Sequence, residues 1–309
     1  MHDNNDEISD KELVTAYRYG DSLEISNVTG STPTVIKWDR DHMVNTKTGE
    51  IIRIEHATNR ADPKNAESLR KTFKRLKRII GTNFHGGKSE LWVTLTYKWQ
   101  DYNNSGKKEP MTDPQRLFKD FRIFMHKLRK KVGKYIAYIE TVEPQSSGSF
   151  HCHVLMKTLD GSRLYISNKD MSECWGQGFV SVRRLKESDN VSAYLMAYLT
   201  NIDVNDPDGK NETKGKKGKS IIKGGQLGLY PMHFQIYRRS RKGIKNPQKL
   251  KGSCGSIKKR YEIKTSPTYY KSFSLQRPNG EIFEVKTEYF NLKKVRLERE
   301  IKRMKHDSK

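Results

Sequence analysis

The chain has 309 residues, 34% hydrophobic content and a mean hydropathy of −0.88, enough length for a large core or for one large unit plus a smaller one. Its 60 Lys and Arg against 36 Asp and Glu give a formal charge of +24, a field that favours a polyanionic partner, nucleic acid first. No stretch approaches the roughly 20 apolar residues of a bilayer span, and three cysteines without metal spacing exclude a disulfide framework or Cys-rich finger, so the expectation is a cytoplasmic protein with no membrane partner.

Residues 1–25 carry seven acids against Lys11 and Arg18. Turn signals such as TGSTP and NTKTGE then break the pattern, so residues 1–61 read as an irregular N-terminal segment or short strands. Asp62-Pro63 predicts the start of a helix whose stripe is Leu69, Phe73, Leu76 and Ile80 and whose end is Gly81. Its other side holds Arg70, Lys74 and Lys77, candidates for phosphate contact or simply a solvated face. Glu90–Tyr97 (ELWVTLTY) predicts a strand. Asp113-Pro114 and Gly133 bracket a second helix striped by Leu117, Phe121, Phe124 and Leu128.

Two strands follow, residues 134–143 and 150–157, separated by the turn-prone PQSSGS. A short helix near 170–175, a strand at 178–185 and a helix over 189–200 complete a mixed order with an adjacent hairpin, which predicts an α+β fold with a largely antiparallel sheet and flanking helices. Residues 209–225 are Lys- and Gly-rich and read as a basic loop, with Lys216 and Lys217 as DNA contacts. Arg238, Arg239 and Arg241 are further candidates for phosphate contact. Pro278-Asn279-Gly280 signals a hairpin, and residues 292–305 have helical composition. From residue 241 onward 20 basic side chains face seven acidic ones, so residues 251–309 read as a basic extension.

His151 and His153 sit two apart on a predicted strand and therefore point to one face, while Phe150, Cys152, Val154 and Met156 point to the other. Two imidazoles suit a divalent cation, which also wants an oxygen ligand. A hairpin centred near Ser147 brings Glu143 beside them, with Glu140 in reserve should the register shift. Tyr194 and Tyr198, at i and i+4 of a predicted helix, project from one side, either as hydroxyls for chemistry or as an apolar stripe with Val191 and Leu195. Joined, these parts suit phosphoryl transfer to tyrosine: a cation stabilises charge on the phosphate while a phenol oxygen attacks in line. A second tyrosine one turn away permits a second transfer.

Thr94–Tyr97 (TLTY), Glu143–His153 (EPQSSGSFHCH) and Ala193–Thr200 (AYLMAYLT) resemble the three ordered motifs of HUH-superfamily rolling-circle replication initiators. Tyr230–Pro247 is similar to a segment of the Rep proteins of Gram-positive bacterial plasmids and mobile elements, and the resemblance spans residues 62–250, the implied endonuclease domain. It implies His151, His153 and Glu143 as ligands of Mg²⁺ or Mn²⁺, and Tyr194 and Tyr198 as catalytic nucleophiles. It further implies origin DNA, single-stranded or extruded at the nick, as substrate. Where many members carry a lysine three residues after a motif tyrosine, this chain has Ala197 and Asn201. No GxxxxGK[ST] loop occurs, so a host helicase and DNA polymerase are the expected partners. A relaxase or transposase of the same chemistry, and a DNA-binding regulator without catalysis, are the rival readings.

Overall fold

The computed structural model describes residues 7–28, 35–57, 62, 65–145, 148–186, 230–276 and 282–307. It is a mixed α+β structure built on antiparallel sheets, and it divides into two compact units, residues 56–245 and residues 1–55 together with 246–309.

In the unit of residues 56–245, β6 (Glu90–Thr96), β7 (Ile136–Pro144), β8 (Phe150–Thr158), β9 (Val180–Arg184) and β10 (Tyr237–Arg239) form one sheet in the order β10-β7-β8-β6-β9. Strand alternation sends Leu91, Val93, Leu95, Val142, Cys152, Val154 and Met156 to one face, where all seven are buried. Helices α2 (Pro114–Val132) and α3 (Asn168–Trp175) cover that face: Phe121 meets Tyr138 edge-on, and Trp175 meets both Tyr97 and Phe124.

The predicted ends of α2 are observed, because the Asp113 side chain accepts from Gln115 N at 2.8 Å and Gly133 takes the left-handed conformation at φ 70°. Helix α1 (Ala66–Asn83) differs at both ends from its sequence signals. It begins past Asp62-Pro63, at an Asn65 that offers no side-chain cap, and it continues through Gly81 to Asn83, whose side-chain amide donates to Ile79 O and Lys245 O. Its stripe of Leu69, Phe73, Leu76 and Ile80 is buried as expected.

Between α3 and β9 the chain presses against β6. A Cβ on Gly178 would lie 2.2 Å from Thr96 O and 2.5 Å from Lys98 N, both backbone atoms that cannot step aside. Gly178→Ala is therefore expected to destabilise the protein by about 1–3 kcal/mol, read as a lower urea midpoint at unchanged m.

In the second unit the short strands allowed for residues 1–61 pair with strands of the C-terminal part of the chain. Strands β1 (Leu13–Tyr19), β2 (Ser22–Ser26), β11 (Gln248–Ser253), β12 (Tyr269–Gln276) and β13 (Ile282–Asn291) form an antiparallel sheet in the order β11-β1-β2-β13-β12. Chain start and chain end thus share one core of Val14, Ala16, Leu23, Ile25, Ile257 and Phe290, to which α4 (Cys254–Arg260) and α5 (Leu292–Asp307) contribute. Glu288, fully buried, accepts from Ile8 N at 2.6 Å and pairs with Lys258 Nζ at 3.0 Å. Pro278-Asn279-Gly280 lies outside the described residues, but β12 and β13 pair from Tyr269↔Tyr289 to Gln276↔Ile282, the hairpin that the signal predicts. Strands β3 (Val35–Lys37), β4 (His42–Asn45) and β5 (Ile51–Arg53) form a small separate sheet. All three cysteines are free and buried, and no helix among the described residues is long and apolar enough to cross a membrane.

Candidate functional site

The β7–β8 hairpin fixes the site by register. Glu143 pairs with His151 and Thr141 with His153, so both imidazoles and one carboxylate share a face of the sheet, opposite to the one covered by α2 and α3. Strand β6 continues both rows, with Thr96 beside His151 and Thr94 beside His153. One row therefore reads Thr96, His151, Glu143, and the next reads Ser181, Thr94, His153, Thr141, Tyr237.

His153 is buried and held on three sides. Its Nε2 is hydrogen-bonded with Glu143 Oε2 at 3.1 Å, its Nδ1 with the Thr94 hydroxyl at 3.2 Å, and Trp92 stands edge-on with ring centroids 6.1 Å apart. Thr94 belongs to the TLTY motif, yet its task as the group that orients His153 shows only once β6 and β8 are seen to be neighbours. His151 is in the opposite condition: its Nε2 is buried without a hydrogen-bond partner. Burial, and then the neighbouring His153, push the His151 pKa down to about 4, so the ring is neutral near pH 7. A neutral imidazole offers a lone pair, the form in which histidine ligates metals.

Among the described residues no group of three or more His, Cys, Asp or Glu side chains stands at metal-holding spacing. Glu143 and His153 are instead bonded to each other. The donors nevertheless fit a divalent ion in kind, with two imidazoles and a carboxylate on neighbouring positions of one face and a buried ring nitrogen left unsatisfied.

Glu140, the reserve carboxylate, is ruled out as a ligand by strand parity. An odd step along β7 separates it from Glu143, so it points to the α2 face, where it is fully buried. There Arg238 Nε donates to Glu140 Oε2 at 2.8 Å, and the guanidinium lies 4.0 Å from the centroid of the Phe118 ring. Arg238, expected at the DNA backbone, is thus occupied inside the structure. Burial drives the Glu140 carboxyl up to about 7 despite the attraction of Arg238.

Arg239 is half-buried and follows Tyr237 by two residues in β10, so it shares the imidazole face, while Arg241 is exposed beyond the strand. On α1, Arg70 is half-buried, and Lys74 and Lys77 are exposed. Tyr194, Tyr198, Lys216 and Lys217, with the helix expected at 189–200 and the loop at 209–225, lie outside the described residues.

An antiparallel sheet carrying a histidine–carboxylate row on one face and packed helices on the other defines an α+β protein with a polar site on its central sheet. Residues 90–203 match a family model described as a replication-associated protein, a span that runs from β6 through β9 and contains Glu143, His151 and His153. That span is similar to replication-associated proteins. No curated protein and no solved structure matches the chain.

Proposed function

We propose that this protein initiates rolling-circle replication of a plasmid or mobile element by nicking one strand of its origin through a tyrosine. The reading is carried by the cross-strand register that sets Glu143 beside His151 and Thr141 beside His153. His151, His153 and Glu143 would hold a Mg²⁺ or Mn²⁺ ion, with Thr94 orienting the His153 ring from behind. When bound, the ion supplies charge stabilisation at a non-bridging oxygen of the scissile phosphate. Tyr194 or Tyr198 attacks phosphorus through its oxygen, the bond to the 3′ oxygen breaks, and the products are a 5′-phosphotyrosine and a free 3′-hydroxyl from which a polymerase extends. Host helicase and polymerase complete the process.

The test uses labelled single-stranded oligonucleotides tiled across the origin of the replicon that encodes the chain, with Mn²⁺ or Mg²⁺. A covalent adduct that survives denaturation is expected, and it should vanish in the Tyr194→Phe/Tyr198→Phe double variant. Absence of any adduct, or its persistence in that variant, overturns the mechanism.

A further inference from the structure

Phe179 is 74% exposed, more than any other large hydrophobic side chain among the described residues. Burying a side chain of this size stabilises a fold by about 1.5–3 kcal/mol, so its position in solvent forgoes a substantial gain. Its backbone, by contrast, is tightly held. Thr96 N donates to Phe179 O at 2.9 Å and Lys98 N to Gln177 O at 3.0 Å, with Gly178 pressed against β6 between them.

These bonds continue the β6–β9 register by one residue pair, since Leu95 pairs with Val180. Val180 and Val182 pack against the core, so Phe179, Ser181 and Arg183 point to the opposite face, the one that carries the imidazoles. Phe179 therefore extends the row Thr96, His151, Glu143, two strands from His151. At the usual strand spacing that is about 10 Å, with only Thr96 between. A basic group borders it, Lys98, exposed just past the end of β6 and two residues from Thr96; Arg183 lies farther along the face, paired with Trp92, with its guanidinium 5.4 Å from the centroid of that ring.

We infer that Phe179 is a stacking platform for one unpaired base of single-stranded DNA lying across this face, and so a positioning residue that selects which phosphate reaches the histidines. An exposed ring on a firmly held backbone, on a face that carries cations, is the combination that binds single strands, because every base presents a π-face while the cations follow the phosphates. A duplex, whose bases are already stacked, cannot use the ring. The inference rests on the strand-nicking reading for the meaning of the site, and its test is independent of nicking.

Binding of fluorescent oligothymidine, and of a duplex of equal length, is measured in EDTA over a range of salt. Phe179→Ala is expected to weaken oligothymidine binding by about tenfold, while Phe179→Tyr stays within about twofold of wild type, since stacking needs a ring and not its substituents. The slope of log affinity against log salt should be unchanged in Phe179→Ala, whereas Lys98→Ala should reduce it by about 0.7. Duplex binding should not move. Oligothymidine affinity equal to wild type in Phe179→Ala, or an equal loss for single strand and duplex, overturns the inference. If these expectations hold while the tiled oligonucleotides give no adduct, the nicking reading fails and the base subsite stands.

Discussion

His153→Ala is expected to lower metal-dependent adduct formation by about 10²-fold or more, the cost of removing one group that bears directly on the developing charge. The side chain is the centre of the polar row, bonded to Glu143 at 3.1 Å and to Thr94 at 3.2 Å, so its loss also removes one bond that orients the carboxylate. Binding of single-stranded DNA in EDTA should hold within about twofold, because phosphate neutralisation comes from Lys and Arg side chains. Thr94→Val, nearly isosteric, removes only the orienting hydroxyl and should cost about 10–100-fold in Mn²⁺ affinity, read by titration calorimetry. Adduct formation by His153→Ala at the wild-type rate would remove the histidine row from the chemistry.

Glu140→Ala is expected to have the largest effect on stability, about 3 kcal/mol, since it leaves the Arg238 guanidinium beside Phe118 without its buried acceptor. Glu140→Gln should cost less, because the amide oxygen can still accept from Arg238 Nε. The two states of the carboxyl also predict a pH dependence. Its folded value, about 7, lies above its ordinary 4.5, so over that window the folded protein retains a proton that the unfolded chain has released. Stability from this group is therefore complete below the lower value and is lost as pH rises through the upper one. Urea titrations across the window should show Glu140→Gln less penalised by rising pH than wild type, and parallel curves would refute the assignment.

The imidazole row was legible from sequence because it depends on period-two alternation and one short turn, both local. PQSSGS joins the two strands at the centre that pairs Glu143 with His151, and apolar Cys152, Val154 and Met156 mark the opposite face. The limits of α2 were equally local, set by Asp113 and Gly133. What escaped was settled by partners distant in the chain. Leu13–Tyr19 alternates too weakly to read as a strand alone, and its neighbours include β11, which begins at Gln248. Arg238 looked like one of a cluster of phosphate-seeking cations, and nothing near it in sequence indicates that β10 pairs with β7 and sets it on Glu140. Phe179 carried no motif, and its meaning comes from a row assembled across β9, β6, β8 and β7.

The interleaving of β1 and β2 with β11 and β13 bears on biosynthesis. As the ribosome proceeds, β1 and β2 are made well before β11 and β13, so the pair lacks both outer neighbours until residues 56–245 have all been made. A nascent chain thus spends much of its translation with the outer edges of the β1–β2 pair uncovered, the condition that invites chaperone capture or mispairing. A frameshift between β11 and β13 would remove β13 and leave β2 without that neighbour, even though every group in the histidine row had been faithfully translated.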